Sequence, residues 1–471
     1  MIEVRNPRSG RIDHRFEPPT PEEMARIAGR LRDAQPDWEA RGAAARAEAM
    51  LAWRDAMQEH RVELVDALVA DTGRLTESAL EVDAILGTIE RWARTGPELL
   101  ADPAPAPASI PIVTVRQGAR PYPLVGVISP WNFPLLLGLI DAIPALMAGC
   151  SVLMKPSEIT PRFIEPLAKT FDGIPIAAVA GAGQTGEAII DVVDAVCFTG
   201  SVPTGKTVAA RATARFIPAF LELGGKDPAI VLASADLDRA SSAILWGGTA
   251  NAGQSCLSIE RVYVARAVHD AFIEQLVAKA NAVRLAVPGP GDGEMGPIIA
   301  ERQIAIIEDH LADARAKGAT VRCGGEIERI DGGAYLRPTV LTDVTHTMKV
   351  MTEETFGPIL PVMAFDSPDE AVGLANDTIF GLSAAVFAGS EDEALAVAAR
   401  VDAGAISIND AALTALIHDG EKNSFRSSGL GGSRMGPASI RRFFRRQAFL
   451  VASTGAPDPW WYPHLRSNPD Q

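Results

Sequence analysis

Residues 124–158 read LVGVISPWNFPLLLGLIDAIPALMAGCSVLMKPSE, and this stretch decides the fold. Its apolar run from Leu124 to Met154 exceeds the length of a membrane-spanning helix, so a membrane span has to be considered first. A helix in lipid must satisfy all of its backbone groups internally. The run is interrupted by Pro130, Asn132, Pro134, Asp141 and Pro144. We therefore predict a buried strand, a loop, a helix and a second strand.

The same alternation continues on the C-terminal side of this stretch. Short apolar runs such as AVCFTG and FLELGG, and later AIVLA, RVYVA, LPVMAF and AISIN, are separated by segments with helical periodicity. Strands that alternate with helices of this length build right-handed βαβ units around parallel sheets. We predict an α/β protein with two doubly wound domains. Upstream, amphipathic helices occupy 21–94, and the proline-rich ADPAPAPASIP leads into an exposed ribbon strand.

Composition limits the function classes. The chain has 471 residues, a net charge of −15 and a pI near 5.0, which argues against nucleic acid because phosphates require clustered basic residues. The short basic run Arg441, Arg442, Arg445 and Arg446 is interpreted as a solvated helix face. Four irregularly spaced cysteines indicate neither a disulfide framework nor a metal site, and the N-terminus lacks a signal-peptide core. We expect a cytoplasmic protein with no membrane partner and no metal.

Two segments offer a nucleophile and a base, although each has an equally good structural reading. Cys256 lies in the glycine-rich turn GQSC, where its thiol could be accessible, but a lone cysteine is also a common core residue. Glu222 lies between two leucines ahead of a Gly-Gly turn. Desolvation there would suit a general base, whereas a helix-capping role is the alternative.

Three further segments could bind a substrate or a phosphate. Asn132, held between two prolines, could donate to an oxyanion or could be a turn residue. Lys155 and Glu158 could bind ribose hydroxyls or form an exposed ion pair. The sequence FTGS before a helix favours an anion near Ser201, more than the literal G-x-G-x-x-G at 181–186 does.

Taken together and in this order, PWNFP, KPSE, FTGS, ELGGKDP, GQSC and EETFGP resemble the NAD(P)-dependent aldehyde dehydrogenase superfamily over nearly the whole chain. The resemblance implies two doubly wound α/β domains and a small β ribbon for oligomerisation. It implies that the cofactor-binding domain comprises 1–101 and 124–224, with 426–440 returning to it. The catalytic domain would be 225–425, and the oligomerisation arm 102–123 with 441–471. A homodimer or homotetramer is expected.

The resemblance also implies roles for individual residues. Cys256 would attack the aldehyde, Asn132 would stabilise the oxyanion, and Glu222 would activate the water that hydrolyses the thioester. The cofactor would be bound by Ser129, Trp131, Lys155, Glu158, Gly183, Ser201, Leu223, Glu354 and Phe356. The carboxylate of Glu158 should bind a ribose diol and repel a 2′-phosphate, so NAD is expected in preference to NADP.

The substrate side is less well defined by the sequence. Phe133, Leu137 and Ile140 fall at one-face helical spacing and, with Ser255 and Leu257, are predicted to line a substrate tunnel, although they could equally be core residues. Relatives that oxidise succinate semialdehyde tend to carry arginine at the position of Ile140, so an uncharged, apolar aliphatic or aromatic aldehyde is expected. The alternatives are a member that transfers the acyl group to coenzyme A and a catalytically silent binding or structural member. The segment HDGEKNSFRSSGLGGSRMG departs from the family's usual PFGGxKxSGxGRE, which leaves the shape of the loop 418–436 open.

Overall fold

The computed structural model describes residues 1–110, 112–452 and 460–466. The helices are α1 (Pro21–Ala40), α2 (Gly42–Glu59), α3 (Arg61–Thr72), α4 (Thr76–Leu99), α5 (Pro134–Leu139), α6 (Ala142–Ala148), α7 (Ile164–Ala168), α8 (Gly183–Val192), α9 (Val202–Ala214), α10 (Leu237–Thr249), α11 (His269–Ala282), α12 (Glu301–Ala316), α13 (Lys349–Thr352), α14 (Pro368–Asn376), α15 (Glu391–Ala398), α16 (Leu413–Leu416) and α17 (Pro463–Arg466).

The strands are β1 (Ile2–Arg5), β2 (Ile12–Phe16), β3 (Ala106–Pro107), β4 (Val113–Pro121), β5 (Leu124–Ile128), β6 (Ser151–Lys155), β7 (Ile176–Ala178), β8 (Ala195–Thr199), β9 (Ala219–Glu222), β10 (Asp227–Val231), β11 (Ile259–Ala265), β12 (Thr320–Cys323), β13 (Ile327–Ile330), β14 (Gly333–Leu336), β15 (Thr339–Thr342), β16 (Ile359–Phe365), β17 (Ser383–Phe387), β18 (Ala405–Ile408), β19 (Gly429–Leu430) and β20 (Phe444–Ala452). Two antiparallel pairs, β1 with β2 and β13 with β14, form small separate ribbons.

The first large sheet has the strand order β19-β9-β8-β5-β6-β7. Its strands run parallel except β19, which pairs antiparallel with β9 and thus returns the chain from residue 429 to this sheet. The strands β5, β6 and β8 are buried along their whole length, as expected for a parallel sheet covered on both faces. Ligands of such sheets bind beyond the carboxyl ends of the strands, where Ser129, Lys155, Thr199 and Glu222 lie.

The second large sheet has the order β12-β15-β16-β11-β10-β17-β18, in which only β12 pairs antiparallel. It is enclosed by two clusters of buried apolar side chains, one on each face. The predicted fold class, with two doubly wound parallel-sheet units, is confirmed.

The third sheet, β20-β4-β3, forms the predicted arm. The strand β20 pairs with β4 over nine residues, from Phe444 with Pro121 to Ala452 with Val113. Its outer part exposes Phe449, Leu450 and Val451. Within the arm predicted for 441–471, residues 453–459 and 467–471 lie outside the described residues, as does Pro111 in 102–123.

One local expectation is wrong in detail. The basic run is not a uniformly solvated face, because the side chain of Arg442 is only 7 % exposed. The helix after Asn132 begins at Pro134 and ends at Leu139, but helical hydrogen bonds from the Leu137 N–H to the Phe133 carbonyl and from the Ile140 N–H to the Leu136 carbonyl keep the expected spacing. Among the described residues, no helix is long and apolar enough to cross a membrane.

Candidate active site

A cleft of about 570 Å³ opens at the carboxyl ends of the first sheet. Every residue predicted to bind the cofactor lines it: Ser129, Trp131, Lys155, Glu158, Gly183, Ser201, Leu223, Glu354 and Phe356. Asn132 and Cys256 line the same cleft. The segments that the sequence placed together by resemblance are therefore brought together by the fold.

One end of the cleft presents Lys155 and Glu158. The Nζ atom of Lys155 is buried and donates to the carbonyls of Pro156 at 2.9 Å and Gly181 at 2.6 Å. Burial lowers the pKa of Lys155, while the charge of Glu158, 3.8 Å away, acts in the opposite direction. Since Glu158 is partly exposed, its carboxylate is free to accept hydrogen bonds from a diol.

The middle of the cleft is the N-terminus of α9. Ser201 is the N-cap residue, yet its hydroxyl contacts the hydroxyl of Thr204 at 3.0 Å and caps no backbone N–H. The first-turn N–H groups are left for another acceptor, and the helix dipole favours an anion there. This arrangement fits the pyrophosphate of a dinucleotide. Gly183 opens α8 beside this position, with no atom close to where its side chain would be.

The opposite end of the cleft is built by the loop 353–358. Phe356 has a left-handed φ of 52° and packs against Trp131 with ring centroids 5.5 Å apart. Glu354 accepts from the backbone N–H of Gly225 at 3.1 Å. Burial and the nearby charge of Glu260 raise the pKa of Glu354 to about 8. The protonated form of Glu354 is therefore favoured at neutral pH.

Sequence reasoning missed the residues that support this loop. Glu260 accepts from the backbone N–H groups of Thr355 and Phe356, both at 2.7 Å. The ammonium of Lys226 lies 2.6 Å from Glu260 and donates to the Thr355 hydroxyl at 3.0 Å. Lys226 is part of the motif ELGGKDP, and this position could have identified it as a site residue. No feature of the sequence identifies Glu260.

Cys256 follows a turn with unusual backbone geometry. Asn251, Ala252 and Gly253 all have left-handed φ values, of 55°, 53° and 69°. A Cβ atom at Gly253 would collide with the backbone of Gly357, so glycine is required for this close approach. Burial raises the pKa of the Cys256 thiol to about 12, although the charge of Lys422 acts in the opposite direction. At neutral pH the thiol form of Cys256 is therefore favoured.

Asn132 is hydrogen-bonded to the turn 251–256, which ends at Cys256. Its side-chain amide donates to the carbonyl of Gln254 at 3.0 Å, and its own carbonyl accepts from the Asn251 amide at 3.0 Å. The same carbonyl accepts from Arg74 at 2.6 Å, and Arg74 pairs with Glu81 in a fully buried contact of 2.8 Å. Sequence reasoning did not find Arg74 and Glu81, because no motif marks a buried pair formed by α4 and the loop before it.

Glu222 ends β9 and is only 7 % exposed. Its Oε2 accepts a hydrogen bond of 2.6 Å from the hydroxyl of Ser424, a residue of the divergent loop 418–436. The turn after Glu222 lies against Cys256, because a Cβ atom at Gly225 would be 2.5 Å from the carbonyl oxygen of Cys256. A buried carboxylate and a thiol thus lie on two loops in backbone contact.

The predicted tunnel residues do not form one continuous wall. Leu137 lines the cofactor cleft, Phe133 packs its ring 4.4 Å from the guanidinium of Arg74, and Ile140 is buried. Ser255 and Leu257 flank Cys256 and are half-buried. The second cavity, of about 660 Å³, lies on the other side of α5 and is lined by Leu136, by α4 and by residues 415–419.

Comparison with known proteins gives consistent matches. Residues 1–449 match the family described as the aldehyde dehydrogenase family. A curated protein of Mycolicibacterium smegmatis, provisionally named succinate-semialdehyde dehydrogenase with NADP(+), is 38 % identical over 450 residues, which cover 93 % of this chain and 86 % of the relative. The 4,4'-diapolycopene aldehyde oxidase of a Methylomonas species is 38 % identical over 89 % of this chain and 83 % of its own.

A solved structure is more similar still. It is that of a provisionally named aldehyde dehydrogenase, PutA, from Anabaena variabilis, with 57 % identity and a TM-score of 0.96 over 98 % of this chain and 99 % of that one. At this similarity the whole fold, including the arm, is shared.

Proposed function

Since the chain belongs to the aldehyde dehydrogenase family, we propose that it oxidises an aldehyde to the free carboxylic acid with Cys256 as nucleophile and Glu222 as general base. One observation carries this proposal. Cys256 and Asn132 line the same cleft as the predicted cofactor residues, and the turn that follows Glu222 contacts the carbonyl of Cys256.

The reaction proceeds in two halves. The sulfur of Cys256 releases its proton to solvent water and forms a bond to the aldehyde carbon. The carbonyl oxygen, which becomes negative, accepts hydrogen bonds from the Asn132 amide and the Cys256 backbone N–H. A bound nicotinamide cofactor supplies the acceptor for the hydride. The resulting thioester is attacked by a water whose proton passes to Glu222. The carbon–sulfur bond then breaks, and the acid leaves.

We propose NAD as the preferred cofactor, on the basis of Glu158. A carboxylate beside the ribose binds the 2′-hydroxyl and repels a 2′-phosphate. A cation in the same cleft, Arg211, is engaged by Asp191 at 2.6 Å and by Glu187 at 3.1 Å, which leaves less of its charge for a phosphate. The name of the M. smegmatis relative specifies NADP(+), so initial rates with both cofactors decide the preference.

We propose an uncharged, apolar aldehyde as substrate. The predicted tunnel residues carry no charge, and two of the three Asp and Arg side chains that line the second cavity have partners: Asp83 pairs with Arg61 at 2.8 Å, and Arg91 donates to the His418 carbonyl at 3.1 Å. We propose that the aldehyde enters through this cavity, because Leu136 of α5 lines it while the next residue, Leu137, lines the cleft that contains Cys256.

A second substrate class has one observation in its favour. The half-buried Lys422 is the charged group that most lowers the pKa of Cys256. A cation at this place would bind a carboxylate at the far end of a semialdehyde, the class named for the M. smegmatis relative. Replacing Lys422 with Gln should raise KM for succinate semialdehyde, but not for an aliphatic aldehyde, if the substrate is anionic. Equal changes in KM for the two aldehydes would favour an uncharged substrate.

The decisive experiment combines NADH absorbance with identification of the product. We expect a panel of aldehydes to yield NADH and the free acid, at the same rate with and without coenzyme A. Formation of an acyl-coenzyme A instead of the acid would favour the acyl-transferring alternative. Cofactor binding without NADH from any aldehyde would favour the silent binding member.

We also propose that the arm 102–123 with 441–452 joins subunits of a homodimer or homotetramer, because β20 exposes apolar side chains that a second copy would cover. Sedimentation of the full chain tests this. A monomer at micromolar concentration would contradict it.

A further inference from the structure

The first turns of α4 and the loop before it hold a buried ion pair that the proposed reaction does not use. The side chains of Arg74 and Glu81 are 3 % and 0 % exposed and lie 2.8 Å apart. Among the described residues, neither Nε nor Nη1 of Arg74 has a hydrogen-bond partner. A buried pair that leaves donors unsatisfied stabilises a fold poorly, because apolar side chains of similar volume often do as well or better. Stability alone therefore does not explain the pair.

Both members of this pair form hydrogen bonds with the segment that carries Asn132. The Nη2 atom of Arg74 donates to the backbone carbonyl of Asn132 at 2.6 Å. Glu81 accepts from the backbone N–H groups of Leu135 and Leu136, each at 3.0 Å, in the first turn of α5. These N–H groups have no acceptor within the helix, and a carboxylate is favoured at this end of it. One buried pair thus holds the segment at two points.

The helix α4 also contacts the turn that ends at Cys256. Glu77, one helical turn before Glu81, accepts from the backbone N–H of Asn251 at 3.2 Å. The side chain of Asn251 in turn donates to the backbone carbonyl of Asn132 at 3.0 Å. The same helix therefore supports the proposed oxyanion donor and the turn of the proposed nucleophile, and it fixes their positions relative to each other.

The position of the Asn132 amide matters for the proposed reaction. One of its two N–H groups donates to the carbonyl of Gln254 at 3.0 Å, and the other has no acceptor among the described residues. A donor stabilises an oxyanion only if it lies about 2.7–3.1 Å from the place where the charge develops. A misplacement of about 1 Å can lower a rate about 10²-fold. The residues that hold the backbone of Asn132 therefore affect the rate without contacting the substrate.

We propose that Arg74, anchored by Glu81, is a positioning residue that holds the Asn132 amide at hydrogen-bond distance from the oxyanion. Without the guanidinium, the Asn132 carbonyl keeps only its hydrogen bond from the Asn251 side chain, and the segment can shift relative to Cys256. The inference rests on the proposed role of Asn132 as oxyanion donor.

The test compares two reactions of the same sulfur at pH 8, without aldehyde or cofactor. Acylation of Cys256 by 4-nitrophenyl acetate, followed as a burst of 4-nitrophenolate, passes through an oxyanion. Alkylation of Cys256 by iodoacetamide, followed by mass spectrometry of its peptide, displaces iodide and forms no oxyanion. Both reactions require the thiolate. The ratio of their rate constants therefore reports the oxyanion donors and not the ionisation of the sulfur.

The variants are ranked by how much of the donor they disturb. Asn132→Ala removes the donor and should lower the ratio about 10²–10³-fold. Arg74→Met keeps the bulk of the side chain but lets the donor shift, so the ratio should fall about tenfold. Arg74→Lys should stay within about threefold of the wild type, because an ammonium can still donate to the Asn132 carbonyl and to Glu81.

Two further variants complete the set. In Glu81→Gln the amide nitrogen cannot accept from Arg74, so the ratio should fall about threefold, and this milder change keeps the inference testable if Arg74→Met fails to fold. Glu90→Gln is the matched control: Glu90 is another arginine-paired carboxylate of α4, but its partner is Arg54, which does not contact the segment of Asn132. Its ratio should equal that of the wild type.

A double variant separates positioning from a general loss of structure. Because Arg74 acts through Asn132, Arg74→Met should not lower the ratio further once Asn132 is alanine. A purely structural role would slow acylation and alkylation equally in Arg74→Met, or would lower the ratio again in the double variant. Either result would overturn the inference.

Failure of the proposed function has its own signature. If Asn132→Ala keeps the ratio of the wild type, Asn132 is not the oxyanion donor, and that part of the proposed function is wrong. If Asn132→Ala lowers the ratio while Arg74→Met and Glu81→Gln do not, only the role of Arg74 is wrong.

Discussion

The turn 251–256, called here the nucleophile turn because it ends at Cys256, and the C-terminal loop 418–436 both contact residues of the proposed reaction centre. They are built in different ways. The turn 251–256 is determined by backbone: three successive left-handed residues, a glycine in contact with Gly357, and hydrogen bonds to Asn132. The loop 418–436 contributes side chains: Ser424 donates to Glu222, and Arg434 donates to Thr199 on the neighbouring strand. The family motif is thus kept where backbone geometry forms the site, and the sequence departs from it where side chains support the base.

The largest effect is expected at the nucleophile turn. Cys256→Ala removes the atom that bonds to the substrate, so NADH formation should fall by about 10⁴-fold or more. Cofactor binding, measured by fluorescence titration, should stay within about twofold because the side chain is small. Full dehydrogenase activity in this variant would refute the mechanism.

Glu222→Gln probes the point at which the two regions meet. Loss of a general base lowers a rate by about 10²–10⁴-fold. The loss should fall on thioester hydrolysis, so a burst of one NADH per active site should persist ahead of a slow steady state. Glu222→Asp, which keeps the carboxylate, serves as the control. A burst that disappears together with the steady state would instead assign Glu222 to the first half of the reaction.

Glu158→Gln tests a region far from both loops. Removing the negative charge should raise kcat/KM for NADP relative to NAD by about tenfold, or ~1.4 kcal/mol. Glu165→Gln is a matched control, because Glu165 is exposed on α7 and does not line the cleft. An unchanged ratio in Glu158→Gln, or the same change in both variants, would contradict the assignment.

Ser424→Ala sharpens the contrast between backbone and side-chain support. It removes one hydrogen bond to the carboxylate of Glu222, and water can partly replace it, so the steady-state rate should fall only about threefold to tenfold. Ser427→Ala in the same loop is the control, since only the backbone N–H of Ser427 donates to Ile379. A loss as large as that of Glu222→Gln would mean that Ser424 has a chemical role of its own.

Glu354→Gln should have the smallest effect, seen in stability. The pKa of Glu354 is raised to about 8, so its contribution to stability is complete below about 4.5 and is lost as pH rises through 8. Glutamine does not ionise. The melting temperature of the variant relative to the wild type should therefore increase between pH 5 and pH 9, by about 2–4 °C. A difference that does not change with pH would contradict the burial of this carboxyl.

The sequence predicted those features of the structure that depend on short local motifs. Six short motifs were enough to predict the fold class: four follow strands of the first sheet, and two precede strands of the second. The cofactor residues that they contain all line one cleft. The domain boundaries, the individual catalytic roles and the cytoplasmic location stay predictions.

The remainder depends on contacts between distant segments. Asp141 and Arg434 are 293 residues apart, and nothing in either segment predicts that they meet. Arg442, in a run interpreted as solvated, is buried for the same reason. The tunnel face stays a prediction: the spacing of Phe133, Leu137 and Ile140 is kept by helical hydrogen bonds at both ends of α5.

The strand β20 also has a consequence for the life of the protein in a cell. A nine-residue strand that presents Phe449, Leu450 and Val451 outward offers a template to any other unpaired strand. If the arm joins subunits as proposed, folded chains without a second copy would be targets for chaperones and proteases. The abundance of active enzyme would then depend on how quickly new chains assemble, as well as on how well each one folds.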